Sequence, residues 1–367
     1  MFRNELSRFF IHFFPIPRFF AMPSFGLDIS DESVKFVELL STRHGIKMGR
    51  HGERTLPPGT IEAGKIKDPR QIEAILSTLR KEVGIQSVRI SLPEEQIYLF
   101  KLKLDKNGIK NVRQGIELVL EEHVPIGAND SIFDYEILGE DAEHLELQVA
   151  VISKNVIENY LSIFRNAKIK VQSCVLEAHA ISRAIIKKGD PGTYMIVDFG
   201  KKRTGVSIVS DGVVMFTSTV DIGGASLNDA IAKNFNLSPE EAEKTKREHG
   251  LERNTTNREM FSVLLNSVSV LRDEVSRHFI YWHTHKDDNG KNNPSIKKIL
   301  LAGGDSNLIG LADYLSVSMK TPVEMANVWT NIGSTQYYIP EMTKEQSLAF
   351  ATALGLALGD FAADFDR

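Results

Sequence analysis

The chain is nearly devoid of cysteine. Cys174 stands alone among 367 residues, which excludes an internal disulfide and a CxxC metal clamp and fits a reducing compartment. Long apolar runs are missing too: none approaches the about 18 residues of a membrane-spanning helix. Neither sign of charge dominates. Lys plus Arg total 44 against 48 for Asp plus Glu, a net charge of −4, so the global basic character of a nucleic-acid binder is absent and no nucleic-acid partner is expected. With 42% hydrophobic and 25% charged residues, the chain is not a disordered one. These absences predict a soluble, intracellular protein, and the length suits about two domains.

The first residues depart from that average. Phe2, Phe9, Phe10, Phe13, Phe14, Phe19, Phe20 and Phe25 accompany Arg3, Arg8 and Arg18, against the single acid Glu5. Phe2, Leu6, Phe9, Phe10, Phe13 and Phe14 recur at helical spacing until Pro15 and Pro17 stop the helix. A short basic helix with a Phe face can lie in a membrane interface, so residues 1–20 are expected either to touch a membrane peripherally or to dock on their own domain or a partner.

Further on, one pattern occurs twice. Ser24-Phe25-Gly26-Leu27-Asp28-Ile29-Ser30 reads as an apolar strand ending in an acid and a small residue, with a second strand at Val34–Leu39. Tyr194-Met195-Ile196-Val197-Asp198-Phe199-Gly200 repeats it, followed by a strand at Thr204–Val209, an Asp211-Gly212 turn and a third strand. The two acids lie about one domain length apart, which argues for an internal duplication. Between them, residues 97–168 read as strand, helix, strand, strand, helix, a small α+β insert. After the repeat come helices near 225–235, 238–248 and 258–283, and a strand at 298–302 entering Gly303-Gly304, with a helix starting near Leu308. A closing helix is expected over 344–358, with Ala349, Ala353, Gly355 and Ala357 permitting close packing.

An Asp ending a strand is, singly, a turn former. Two of them one repeat apart point to a more specific chemistry: turns that aim backbone N–H groups at a phosphate, with each Asp beside a hydrated magnesium ion. Asp28 with Ser30 and Ser33 forms one candidate loop, and Asp198 with Gly200 and Thr204 the other. Gly303-Gly304-Asp305-Ser306 joins a strand to a helix where a flat ligand can approach the backbone. Glu243 and Lys246 share a helix face and can reach a ribose or adenine edge. Glu177, between a strand and a helix, is the candidate for orienting an attacking water, and equally a helix-start acid favoured by the dipole. His283 and His285 read as surface residues, and Cys174 as a buried structural one.

In this order the motifs resemble the actin-like ATPase superfamily, most of all the PilM family of type IV pilus assembly proteins, relatives of the division protein FtsA. The resemblance is carried by Gly26-Leu27-Asp28-Ile29-Ser30 with Val34-Lys35, Ser91-Leu92-Pro93-Glu94-Glu95, Asp198-Phe199-Gly200 with Thr204, and Ile222-Gly223-Gly224. Ala242-Glu243-Lys244-Thr245-Lys246, Ala302-Gly303-Gly304-Asp305-Ser306 and Ala353-Leu354-Gly355-Leu356-Ala357-Leu358 complete it, over about residues 24–360. The resemblance implies an α/β, actin-like (ribonuclease H-like) bilobed fold with ATP and magnesium between the lobes. The implied division is a Phe-rich segment 1–23, a first lobe 24–190 with the insert at about 97–168, a second lobe 191–343, and a C-terminal helix 344–367 returning to the first lobe.

By the same resemblance, Asp28, Ser30, Ser33 and Lys35 fall in the first phosphate loop and Asp198, Gly200 and Thr204 in the second, with Asp28 and Asp198 at the metal. Gly224, Glu243, Lys246, Gly303, Gly304 and Ser306 fall around the nucleoside, and Glu177 joins the two aspartates as a catalytic candidate. The implied function is a cytoplasmic scaffold at the inner face of the cell membrane, binding through its insert the short cytoplasmic tail of the membrane-anchored partner PilN. Phe13-Phe14-Pro15-Ile16-Pro17-Arg18 is similar to such a tail and suggests self-association through the same groove.

Three departures stand out: Ser30 where the family usually has glycine, Asp305 in the GGxS turn, and the Phe-rich start. They favour nucleotide binding with weak hydrolysis at most. Two alternatives share the fold. A small-molecule kinase needs a general base in the cleft, and no acid beyond Glu177 presents itself. An FtsA-like filament protein is expected to end in a basic amphipathic tail, whereas Phe361–Arg367 is short and acidic.

Overall fold

β1 (Phe25–Ile29) is buried along its whole length, as a central strand covered on both faces must be. The structure, a computed structural model, describes residues 24–42, 45–107, 111–252, 258–286, 292–332 and 339–364. The Phe-rich segment 1–23, with its tail-like run, lies outside the described residues. β1 pairs antiparallel with β2 (Ser33–Thr42), and β2 with β3 (Gly45–Thr55). The two-residue strands β4 (Ile61–Glu62) and β5 (Lys65–Ile66) follow, then α1 (Pro69–Glu82), which begins where the Asp68 side chain accepts the Arg70 N–H and Pro69 opens the helix. α1 leads to β6 (Ser87–Leu92), parallel to β1.

β7 (Ile97–Asp105), α2 (Val112–His123), β8 (Ser131–Glu140) and β9 (His144–Ser153) form the insert, a three-stranded antiparallel sheet in the order β7-β9-β8. Its core, with Leu102, Leu104, Ile116, Leu120 and Val149, is separate from those of the larger sheets. α3 (Lys154–Asn166), the last element of the 97–168 block, packs elsewhere: Tyr160, Ile163 and Phe164 join Ile72, Leu76 and Leu79 of α1 on the first sheet. β10 (Lys170–Leu176) pairs parallel with β6, and α4 (Glu177–Ile185) follows.

The second half begins with β11 (Thr193–Phe199), β12 (Thr204–Ser210) and β13 (Val213–Val220), an antiparallel meander. Helices α5 (Gly224–Phe235), α6 (Pro239–His249) and α7 (Arg258–Thr284) come next, α6 opening with a capping box between Ser238 and Glu241. β14 (Lys298–Ala302) runs parallel to β11, and after α8 (Leu311–Met319) β15 (Val323–Met325) runs parallel to β14. The five-stranded sheets read β3-β2-β1-β6-β10 and β13-β12-β11-β14-β15. Counted along each half, both follow one order and one pattern of directions. The duplication read from two acid-tipped strands therefore extends to the whole sheet.

The helix expected from Leu308 is preceded by a short turn of 3-10 helix at Gly304–Asn307, and α8 starts at Leu311. The closing helix expected over 344–358 is two helices, α9 (Lys344–Leu348) and α10 (Ala351–Leu358), parted at Ala349–Phe350. The break has a tertiary cause: the Leu348 carbonyl, at the end of α9, accepts the N–H of the distant Gly303 at 3.1 Å. α10 and α4 share a core with Ile196, Leu300 and Ala302 of the second sheet. A Cβ on Gly355 would lie 1.7 Å from the Ala180 carbonyl oxygen, so only glycine lets α10 come so near α4.

Candidate functional site

The turns that follow β1 and β11 line one cavity of about 300 Å³. Asp28, Ser30, Ser33 and Lys35 face it from the first hairpin, and Asp198 and Gly200 from the second. Gly303, Gly304 and Asp305 add the third element and Glu243 the fourth, while Glu177 at the start of α4 also reaches the wall. Gly303 holds φ at +87°, and a Cβ there would stand 2.6 Å from Asp198 Oδ1, so the glycine turn is seated directly against the second aspartate.

Burial dominates the electrostatics. The Asp28 carboxyl accepts the Ser91 hydroxyl at 2.8 Å, and burial raises its pKa against the opposing pull of Lys35 and that hydrogen bond. Asp198 is pushed up to about 6, first by burial and then by the charge of Asp28. Glu177 is raised well above the usual carboxylate range by burial, then by Asp28 and neighbouring acids. Lys35 is the cation among them: its Nζ donates to Ser33 Oγ at 2.9 Å and pairs with Glu53 at 3.3 Å.

Ser30 occupies its place in the turn in a consequential way. Its Oγ accepts the N–H groups of Glu32 at 3.4 Å and Ser33 at 3.2 Å. Backbone donors that a glycine would leave facing the cavity are therefore engaged within the turn.

Four of the residues singled out from the sequence do not line this cavity. Thr204 is fully buried and its Oγ1 donates to the Ile222 carbonyl at 2.6 Å. Ser306 is buried and its hydroxyl donates to the Ala302 carbonyl. Gly224 lies behind the wall, its N–H on the Gly200 carbonyl at 3.0 Å. Lys246 is also buried, held by Asp305 Oδ1 at 2.5 Å and the Gly224 carbonyl at 3.2 Å. It lines an adjoining cavity of about 590 Å³ together with Met342, Glu345 and Phe350. Glu243 makes an ion pair with Arg247 at 2.5 Å.

Sequence reasoning found one further acid, Glu177, and missed several. Asp31, Glu32, Glu53 and Glu95 line the cavity, and Glu94 is buried behind it. Glu94 Oε1 accepts the Ala178 N–H at 2.7 Å, yet burial still pushes its carboxyl up to about 8, helped by the charges of Asp198 and Glu95. The available signal was Pro93-Glu94-Glu95 directly after a strand, Ser87–Leu92, that is buried at every position but Arg89. His283, read as a surface residue, is half-buried: its Nδ1 lies 2.8 Å from the Phe279 carbonyl and its Nε2 accepts the Ile296 N–H at 3.4 Å.

Among the described residues, no group of three or more His, Cys, Asp or Glu side chains is arranged to hold a metal ion. Asp28 and Asp198 nevertheless supply the donors that magnesium takes in pairs, completing its shell with water and phosphate oxygens. The donor set fits that ion in company with a phosphate ligand.

A second cavity, about 520 Å³, opens between the insert and the first sheet, with Leu99, Phe133, Tyr135, Gln148, Leu176 and His179 in its wall. Both amide atoms of Gln148 and Nε2 of His179 are buried there without a hydrogen-bond partner among the described residues. Burial drives His179 down to about 4, so its ring is neutral. Cys174 also lines this cavity; it is half-buried, and burial pushes its thiol up to about 11.

The family model described as type IV pilus assembly protein PilM matches residues 26–361. Among solved structures, the PilM–PilN type IV pilus biogenesis complex contains a similar chain, 21% identical with a TM-score of 0.76 over 94% of this chain and 99% of that one. MreB5 of Spiroplasma citri bound to ADP is 13% identical with a TM-score of 0.58, over 94% and 98%. The ethanolamine utilization protein EutJ from Carboxydothermus hydrogenoformans is 16% identical with a TM-score of 0.55, over 94% and 91%. The cell division protein FtsA of Bacillus subtilis (strain 168) is 22% identical over 196 residues, 50% of this chain and 40% of that relative. The match thus spans less than half of FtsA. These likenesses show the actin-like fold. No helix among the described residues is long and apolar enough to cross a membrane.

Proposed function

The chain belongs to the PilM family of type IV pilus assembly proteins, and we propose that it is a nucleotide-binding scaffold of a pilus or related secretion machine. In this reading it takes ATP and magnesium between its lobes, and it presents the cavity beside the insert to the cytoplasmic tail of a PilN-like membrane protein. Its place would be the cytoplasmic face of the inner membrane.

The observation that carries the reading is the shared cleft: equivalent turns of two like-ordered sheets line one cavity, with Asp28 and Asp198 in its wall. The turns at 30–33 and 200–203, with Lys35, would hold the phosphates, and the adjoining cavity with Lys246, Asp305 and Phe350 would take the nucleoside. Asp28 and Asp198 would hold the magnesium ion, which when bound supplies positive charge to neutralise the triphosphate. Burial disfavours the charged forms of both aspartates, and that penalty is relieved most by a divalent cation. Glu177 is held toward its protonated form by burial and adjacent acids, which makes it a poor acceptor for an attacking water and supports slow turnover at most. Nucleotide then acts through hinge closure of the lobes, altering the groove.

The groove has what an extended peptide needs: apolar walls and the unpartnered polar atoms of Gln148 and His179, which an incoming main chain would satisfy. The test is titration of labelled cytoplasmic tail peptides of PilN-like proteins into the full chain, with and without ATP and magnesium. Saturable binding that changes several-fold with nucleotide is expected. Failure of every tail to bind in either state contradicts the scaffold reading.

A further inference from the structure

The second turn carries three consecutive cations, Lys201, Lys202 and Arg203, and each is matched by an acid of the first half of the chain. The matches are of two kinds. Arg203 is mostly buried, its side chain 15% exposed, and pairs with both Asp31 and Glu95. Asp31 is itself fixed, accepting the N–H groups of Ala63 at 3.3 Å and Gly64 at 3.4 Å. Lys201 and Lys202 are 50% and 39% exposed, and both reach the same carboxylate, Glu32, at 3.6 Å and 3.0 Å. All six side chains stand in the wall of the cavity between the hairpins.

Resting on the reading of this cleft as a nucleotide site, we infer that Glu32 is a built-in competitor of the ligand's phosphates, occupying Lys201 and Lys202 until a nucleoside polyphosphate displaces it. Arg203 stays clasped to Asp31 and Glu95 as the lasting tie between the two turns. The difference in burial dictates this division. Exchanging Arg203 would leave two acids facing a closed wall without a cation, a costly state. Freeing Glu32 costs little, because its lysine pairs are solvent-screened and the released carboxylate regains water. A polyphosphate offers the lysines more charge and stronger charge-assisted hydrogen bonds than one carboxylate can. The exchange also makes the site selective by charge: a monophosphate too short to reach both lysines leaves Glu32 in place and gains nothing.

The experiment is calorimetric titration of ATP, ADP and AMP, each with magnesium, into the full chain and two variants. Glu32→Gln is expected to tighten ATP about threefold to fivefold and leave AMP unchanged, the factor an exposed ion pair controls. Lys201→Ala with Lys202→Ala is expected to weaken ATP about tenfold, again with AMP unchanged. Both positions are half-exposed, and unchanged melting temperatures would verify intact folding. If wild-type protein binds ATP but Glu32→Gln binds it equally or more weakly, the competitor role is overturned and the cleft reading stands. If wild-type protein binds no ATP, the cleft reading falls and takes the inference with it.

Discussion

The carboxyl of Glu94 accepts the main-chain N–H of Ala178 at 2.7 Å, which seats an acid from just after β6 against the opening turn of α4. That acid is buried and stands within electrostatic reach of Asp198 and Glu95. Burial first, and the charge of nearby acids after it, raises Asp198, Asp28 and Glu177 as well.

A pH dependence follows. Glu94 titrates near 4.5 when unfolded and at about 8 when folded, so folding favours its protonated form. The stability this contributes is fully present below about pH 4.5 and is lost as pH rises through about 8. Urea unfolding of the ligand-free protein should show Glu94→Gln more stable than wild type by about 2 kcal/mol at pH 8.5, with the gap closing toward pH 5. A gap that is constant with pH contradicts the assignment.

Ser30 offers a second test. Its hydroxyl engages the N–H groups of Glu32 and Ser33. Ser30→Gly should therefore bind ATP severalfold more tightly and melt lower, having lost about 1 kcal/mol of turn hydrogen bonding. Equal or weaker ATP binding would show that these donors do not serve the ligand.

Packing of the closing helix makes a third. Any Cβ at Gly355 meets the Ala180 carbonyl at 1.7 Å, backbone against backbone. Gly355→Ala should cost about 3 kcal/mol by chemical denaturation. Gly139→Ala, whose Cβ would meet nothing nearer than 3.8 Å, should change stability little. Similar losses for both would contradict the packing.

The groove gives a fourth. Gln148 and His179 carry buried polar atoms that no group among the described residues satisfies. Gln148→Leu should raise the melting temperature, since replacing an unpaired buried amide by an apolar group gains about 1 kcal/mol, while weakening the tail peptide severalfold. Parallel changes, both up or both down, would show that the amide is not held for a ligand.

What the sequence disclosed was whatever repeats locally. Apolar strands tipped with Asp28 and Asp198 revealed the duplication, because a buried central strand and its turn have a compact signature. Ser238, Pro239 and Glu241 marked the start of α6 for the same reason. Contacts distant along the chain stayed hidden. Lys246 reads as a ligand-facing lysine until Asp305 is seen beside it, and the break between α9 and α10 depends on the distant Gly303 N–H. Glu94, read in the sequence only as part of a motif, is buried with its carboxyl on the distant Ala178 N–H. Thr204 and Ser306, placed at the site by motif, turn inward because nearby carbonyls, those of Ile222 and Ala302, need donors.

The most direct test is calorimetric binding of ATP at varied magnesium to wild type, Asp28→Asn and Asp198→Asn. Each replacement keeps the side-chain shape and removes a buried charge, so neither should lower the melting temperature. The account predicts magnesium-dependent ATP binding in wild type and at least about tenfold weaker binding in either variant, with the magnesium dependence gone. Undiminished, magnesium-dependent binding in both variants, or none in wild type, would contradict it.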